Sequence, residues 1–92
     1  MNIDRLAEMA LGAADLSESA RSSAEASHMA GDDRFALLEA VTETRSVLPG
    51  EVLDAIDGYL AEGPMFGDDS SLDDVLRQHV ASMRAGRVRT VA

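Results

Sequence analysis

The stretch SESARSSAEAS, residues 17–27, holds no apolar side chain larger than alanine, and its reading as helix or linker decides how the rest of the chain assembles. Alanine has the highest intrinsic helix propensity, and neither glycine nor proline interrupts residues 13–30. Arg21 stands three residues after Glu18 and four before Glu25, spacings at which each ion pair adds roughly 0.2 to 0.5 kcal/mol to a helix. The stretch therefore reads as the continuation of a long first helix, with Ala20 and Ala24 as a thin, close-packing seam. A flexible Ser/Ala linker is the alternative.

Upstream, Ile3, Leu6, Met9 or Ala10, Ala13 and Leu16 keep a three-then-four spacing, so the first helix is expected from about Asp4 to residue 30. Downstream, Gly31 suits a left-handed C-terminal position, and Asp32 or Asp33 suits the N-cap of a second helix over 34–47. Phe35, Leu38, Val41 and Leu48, with Leu37 beside them, form its expected stripe. Pro49 opens a third helix over about 50–62, with Val52, Leu53, Ile56, Tyr59 and Leu60 on one face and the carboxylate row Glu51, Asp54 and Asp57 on the other. Gly63-Pro64 stops it, and Met65 and Phe66 sit in the loop that follows, either plugging the core or anchoring a partner. A fourth helix starts at Ser70 or Ser71 and ends near Gly86, with Leu72, Val75, Leu76, Val80 and Met83 as its stripe.

The expected fold is all-α: a small bundle of about four helices with a long Ala/Ser-rich first helix, one domain over residues 1–86 and a basic tail over 87–92, disordered or an unpaired strand. The chain has 92 residues, of which 27 are large and apolar, and only Met29 falls between Ser17 and Arg34. So short a chain buries only about 60 per cent of its unfolded surface. Stripe area left over on four amphipathic helices is expected to drive homo-oligomerisation.

Charge is distributed unevenly. All 17 carboxylates lie at or before Asp74, where four arginines leave residues 1–74 at −13, while Arg77, Arg84, Arg87 and Arg89 give residues 75–92 a charge of +4. The acidic body repels nucleic acid and anionic membrane, and the basic end either attracts an acidic partner or folds back on the body. With no cysteine, disulfides, thiolate nucleophiles and zinc–thiolate sites are excluded. An acid at Asp4 in place of a basic leader, and the lack of an apolar run of about 18 residues, make an untargeted cytoplasmic protein away from membranes the expectation.

The chemical motifs are few. Residues 67–74 resemble the modified-serine motif of acyl carrier proteins over eight positions, with an extra serine and with only 21 residues after Ser71, too few for the two helices such a domain places there. Ser70 or Ser71 is thus read as an N-cap, with Asp73 and Asp74 in a solvated first turn. An EF-hand loop counted from Asp68 would carry Asp73 where it needs glycine and His79 where it needs glutamate. His28 and His79 are 51 residues apart with no H-x-x-x-H pair, so no metal, cofactor or catalytic triad is expected. A helix-turn-helix reading fails because residues 50–62 contain four acids and no base, so no direct nucleic-acid binding is expected.

The expected function is a non-enzymatic protein–protein interaction module, a small acidic adaptor, regulator or inhibitor that binds a protein partner through apolar helix faces. The candidate partner-binding residues are Met65, Phe66, Glu51, Asp54, Asp57, Arg77, Arg84, Arg87 and Arg89. The alternatives are a phage-type acidic nucleic-acid mimic that inhibits a host defence nuclease, carried by Glu51, Asp54 and Asp57, and an antitoxin-like protein whose basic tail wraps an acidic partner.

Overall fold

The first helix stops at Ala13, four residues before a new N-cap at Ser17. The Ser17 backbone is extended (φ −62°, ψ 161°), and its hydroxyl accepts a hydrogen bond from the Ala20 amide at 3.1 Å. Serine favours this N-cap geometry over a helix interior because its side chain competes for backbone partners. Ala14 is extended as well, and four residues, 14–17, separate α1 (Ile3–Ala13) from α2 (Glu18–Met29). The computed structural model describes residues 2–88. The long first helix expected over 4–30 is thereby corrected to two: a continuous one would be about 40 Å long, and no principal extent of the molecule exceeds 29 Å.

Side chains on both sides hold the break. From α2, Arg21 Nη1 donates to the Leu11 carbonyl at 3.1 Å and Nη2 donates to the Ala14 carbonyl at 2.9 Å, which satisfies acceptors that a helix end otherwise leaves unpaired. From the far side of the sequence, Thr44 Oγ1 accepts from the Asp15 amide at 3.1 Å, and the Arg45 amide donates to the Asp15 carbonyl at 2.8 Å. Arg45 Nη2 also reaches Asp15 Oδ1 at 2.9 Å and the Leu16 carbonyl at 3.3 Å. Buried Thr44 donates its own proton to the Ser46 carbonyl at 2.9 Å. Drawn into this clasp, Thr44 leaves helical geometry, so α3 spans Asp33–Glu43 and stops short of the expected Val47.

The remaining helices are α4 (Gly50–Ala61) and α5 (Ser70–Arg84), making five helices and no strand among the described residues. α3 packs against α1, α2 and α5, and α1 also meets α2 and α4, with α5 closing on α4. None of the helices is long and apolar enough to cross a membrane. The alanine seam is real: Ala24 is fully buried and Ala20 is packed against the core. α3 meets its neighbours with Ala36, Leu37, Ala40 and Val41, whereas Phe35 is 43 % exposed and Leu38 only half-buried. The expected Phe35/Leu38 stripe is thus rotated, because α3 is apolar around much of its circumference and small residues mark the close approaches. Leu37, Val41 and Leu48 of that stripe are buried as expected, and Phe35 and Leu38 are not.

At the ends of α2 and α5 the glycines behave as their sequence position suggests. Gly31 (φ 87°) donates to the His28 carbonyl and Asp32 to the Ser27 carbonyl, and Gly86 (φ 79°) and Arg87 repeat the pair with Met83 and Ser82. Both are Schellman caps, which need the left-handed conformation that glycine adopts without penalty. The large apolar side chains that remain exposed among the described residues are Met29, Phe35 and Val47. The stripes are therefore largely covered within one chain, and leftover stripe area does not by itself demand a second copy.

Leu37→Ala and Ile56→Ala are each expected to cost about 2 to 4 kcal/mol in urea melts, since both side chains are fully buried. Leu38→Ala should cost about half as much. Equal losses at 37 and 38 would contradict the orientation of α3.

Candidate functional site

Residues 62–69 connect α4 to α5, and the connection is organised by a carboxylate in the first turn of α5. Asp73 is buried, its Oδ2 accepting the Met65 amide at 3.1 Å and its Oδ1 the Phe66 amide at 3.2 Å. The expectation of a solvated first turn is corrected for Asp73, which combines favourable placement at a helix N-terminus with two backbone hydrogen bonds. Asp74 does face solvent. The α5 N-cap position belongs to Asp69, and Ser71, one of the two expected caps, donates its hydroxyl to the Asp69 side chain.

This anchoring separates the two apolar loop residues. Met65 is buried against the core and also lines the groove beside Phe66. Phe66 is half-buried and meets Phe35 of α3 edge to face, with ring centroids 5.6 Å apart and planes at 65°, a favoured aromatic geometry. The two rings border a groove open to solvent and flanked by Asp32, Arg34, Pro64 and Gly67. Phe35 was read as core from its spacing. It lies on the exposed side of α3, at the edge of this groove.

The charged candidates divide in the same way. Arg84, in the last turn of α5, donates to Asp57 Oδ2 at 2.6 Å and to Asp54 Oδ1 at 2.8 Å. Hydrogen bonds to Asp57 and then to Asp54 hold its guanidinium even more firmly protonated than usual. Arg84 thus engages two of the three carboxylates of the α4 row, while Glu51 has no arginine within 4 Å among the described residues. Arg77 pairs with Asp74 one turn earlier at 3.3 Å. Arg87 is exposed. Arg89, and with it most of the 87–92 tail, lies outside the described residues.

A second cluster joins residues that lie far apart in the sequence. His28, in the last turn of α2, sits with Nδ1 2.7 Å from Asp33 Oδ1 of α3, and its Nε2 is 3.5 Å from Asp4 Oδ1 and 3.8 Å from Glu8 Oε1, both on α1. The hydrogen bond to Asp33 raises the imidazole pKa above its ordinary 6.5, and the charges of Asp33, Asp4 and Glu8 add to the effect against partial burial. The one signal in the sequence was the i,i+4 spacing of Asp4 and Glu8. Along a continuous helix, however, His28 would stand roughly 36 Å from Asp4, and only the break at residues 14–17 brings them together. His79, by contrast, is half-buried on α5.

Comparison of the chain with protein-family models, with curated proteins and with solved structures finds no match.

A folded-state pKa raised above the unfolded one stabilises the fold fully below the unfolded value, and that contribution is lost as pH rises through the folded value. Wild type should accordingly exceed His28→Gln in melting temperature most at pH below 6.5, and the gap should narrow as pH rises. Paired thermal melts in EDTA-containing buffer from about pH 5.5 to pH 9 measure this. A gap that stays constant would mean that the imidazole is not cationic in the fold.

Proposed function

We propose that the chain is a non-enzymatic interaction module, a small acidic adaptor, regulator or inhibitor, that binds a protein partner through the apolar edge at Phe35 and Phe66. The observation that carries this reading is Phe35, a large aromatic on the central helix that keeps 43 % of its surface exposed beside a second ring. Aromatic side chains in a shallow groove with a polar rim are the residues that dominate binding energy at protein interfaces. Asp32 and Arg34 supply such a rim. A second copy of the chain is one partner that fits this chemistry, and the proposed setting is the cytoplasm.

The nucleic-acid-mimic reading draws on a row of free carboxylates, and the engagement of Asp54 and Asp57 by Arg84 weakens that row. The antitoxin-like reading draws on the basic tail over 87–92, most of which lies outside the described residues; Arg77 and Arg84 before it have carboxylate partners. The engagement of the carboxylate row favours the apolar edge over the mimic.

The test is affinity capture from native host lysate, followed by titration of the identified partner. Phe35→Ser should weaken binding by about 2 kcal/mol or more, with the fold checked by circular dichroism. Combined Glu51→Gln, Asp54→Asn and Asp57→Asn should change it by less than about 1 kcal/mol, with little dependence on salt. The opposite pattern, with steep salt dependence and competition by nucleic acid, would replace the adaptor reading with the mimic.

A further inference from the structure

Three ligand-type side chains from two helices converge on one point, at the start of α1 and the end of α2. The donor atoms of Asp4, Glu8 and His28 lie within 4.8 Å of one another. The separations from His28 Nε2, 3.5 Å and 3.8 Å, are long for hydrogen bonds. They are close to the edge of a tetrahedron of donors around a metal, which is roughly 3.4 Å for metal–ligand bonds of about 2.1 Å. The side chains of Asp4 and Glu8 are 61 % and 59 % exposed, which leaves their rotamers free to adjust to an ion.

Asp33 prepares the imidazole for this role. An ionised carboxylate only accepts hydrogen bonds, so the 2.7 Å contact places the proton of a neutral imidazole on Nδ1 and leaves the lone pair on Nε2, the nitrogen near Asp4 and Glu8. This is the carboxylate–histidine arrangement that orients and strengthens histidine ligands. It also creates an electrostatic problem: three carboxylates surround one neutral ring, and among the described residues no arginine lies within 4 Å of Asp4, Glu8 or Asp33. A cation between Nε2 and the two α1 carboxylates removes the repulsion. A proton on Nε2 is its competitor.

We propose that Asp4, Glu8 and His28 form a binding site for a borderline divalent cation of the zinc type, with Asp33 as a positioning residue and water completing the coordination. One imidazole nitrogen with two carboxylate oxygens suits zinc, cobalt or a neighbouring transition ion, whereas magnesium and calcium prefer oxygen ligands alone. The ion ties the first turn of α1 to the last turn of α2 and so locks the helical hairpin. Because the unfolded chain lacks the site, binding stabilises the fold.

The experiment uses the full chain, stripped with EDTA, exchanged into chelator-free buffer at about pH 7.5, and titrated with zinc chloride by calorimetry and with cobalt chloride by visible absorption. One zinc per chain, a rise in melting temperature and cobalt absorption bands are expected. Asp33→Asn should weaken affinity by about 10- to 100-fold while retaining the cobalt bands. His28→Gln and the double change Asp4→Asn with Glu8→Gln should abolish those bands, and His79→Gln should leave binding unchanged. Absence of binding at about 1 mM zinc would overturn the proposal and leave a protonated ion-pair cluster. Equal affinity in wild type and the variants would overturn it in favour of diffuse binding to the acidic surface. The double variant alters only exposed side chains, so it decides the matter even if His28→Gln folds poorly.

Discussion

Everything distinctive in this fold depends on satisfying the carbonyls where α1 stops. Arg21, one turn into α2, reaches back to two of them, and Thr44 and Arg45 close on Asp15 from the end of α3. Hydrogen bonds to a charged donor contribute about 1.5 to 3 kcal/mol when sheltered and less in solvent. A larger effect is on the alternatives, since a helix end without partners would leave polar groups unpaired beside a packed core. With the reversal secured, α2 lies back over α3 and the start of α1 meets the end of α2.

The alanine content then takes on a structural meaning. A helix with no large apolar side chain before Met29 can bury little area, and burial contributes roughly 25 cal/mol per Å². It can, however, approach its neighbours closely, because alanine imposes no bulk and loses no side-chain entropy on packing. α2 therefore serves as a thin cover on α3, and α1, α4 and α5 provide the larger side chains, among them Leu6, Ile56, Leu76 and Val80, that fill the centre. α3 is central because it presents small residues to one side and Leu37 and Val41 to the core. Phe35, two residues from Leu37, is left at the rim, where the Phe66 ring packs against it edge to face.

What could be read from the sequence follows the range of the forces involved. α4 and α5 were legible because a 3.6-residue stripe is local, and so was the left-handed cap at Gly31, whose backbone requirement needs no partner. The break at Ser17 was not. Serine followed by Glu18 is a fair N-cap signal, but alanine propensity and the Glu18, Arg21 and Glu25 spacing argue for continuation with similar strength. The deciding partners, Thr44 and Arg45, lie 29 and 30 residues away from Asp15. Asp73 failed for the same reason: an acid in a first turn is ordinarily solvated, and only the loop amides of Met65 and Phe66 draw it inside. The orientation of α3 and the surroundings of His28 both depend on where α2 lies.

The same electrostatic problem is solved in two different ways on this molecule. With 17 carboxylates and eight arginines, many acids have no permanent cation to pair with, and packing helices together concentrates them. Where Asp54 and Asp57 converge, Arg84 sits between them with a charge that does not vary in the physiological range. Where Asp4, Glu8 and Asp33 converge, the only basic group among the described residues is His28, whose charge does vary there. An arginine keeps its charge at every physiological pH, whereas the imidazole at position 28 does not. Its presence makes the junction of α1, α2 and α3 the part of the fold whose charge responds to the surrounding solution, while the α4–α5 junction remains fixed.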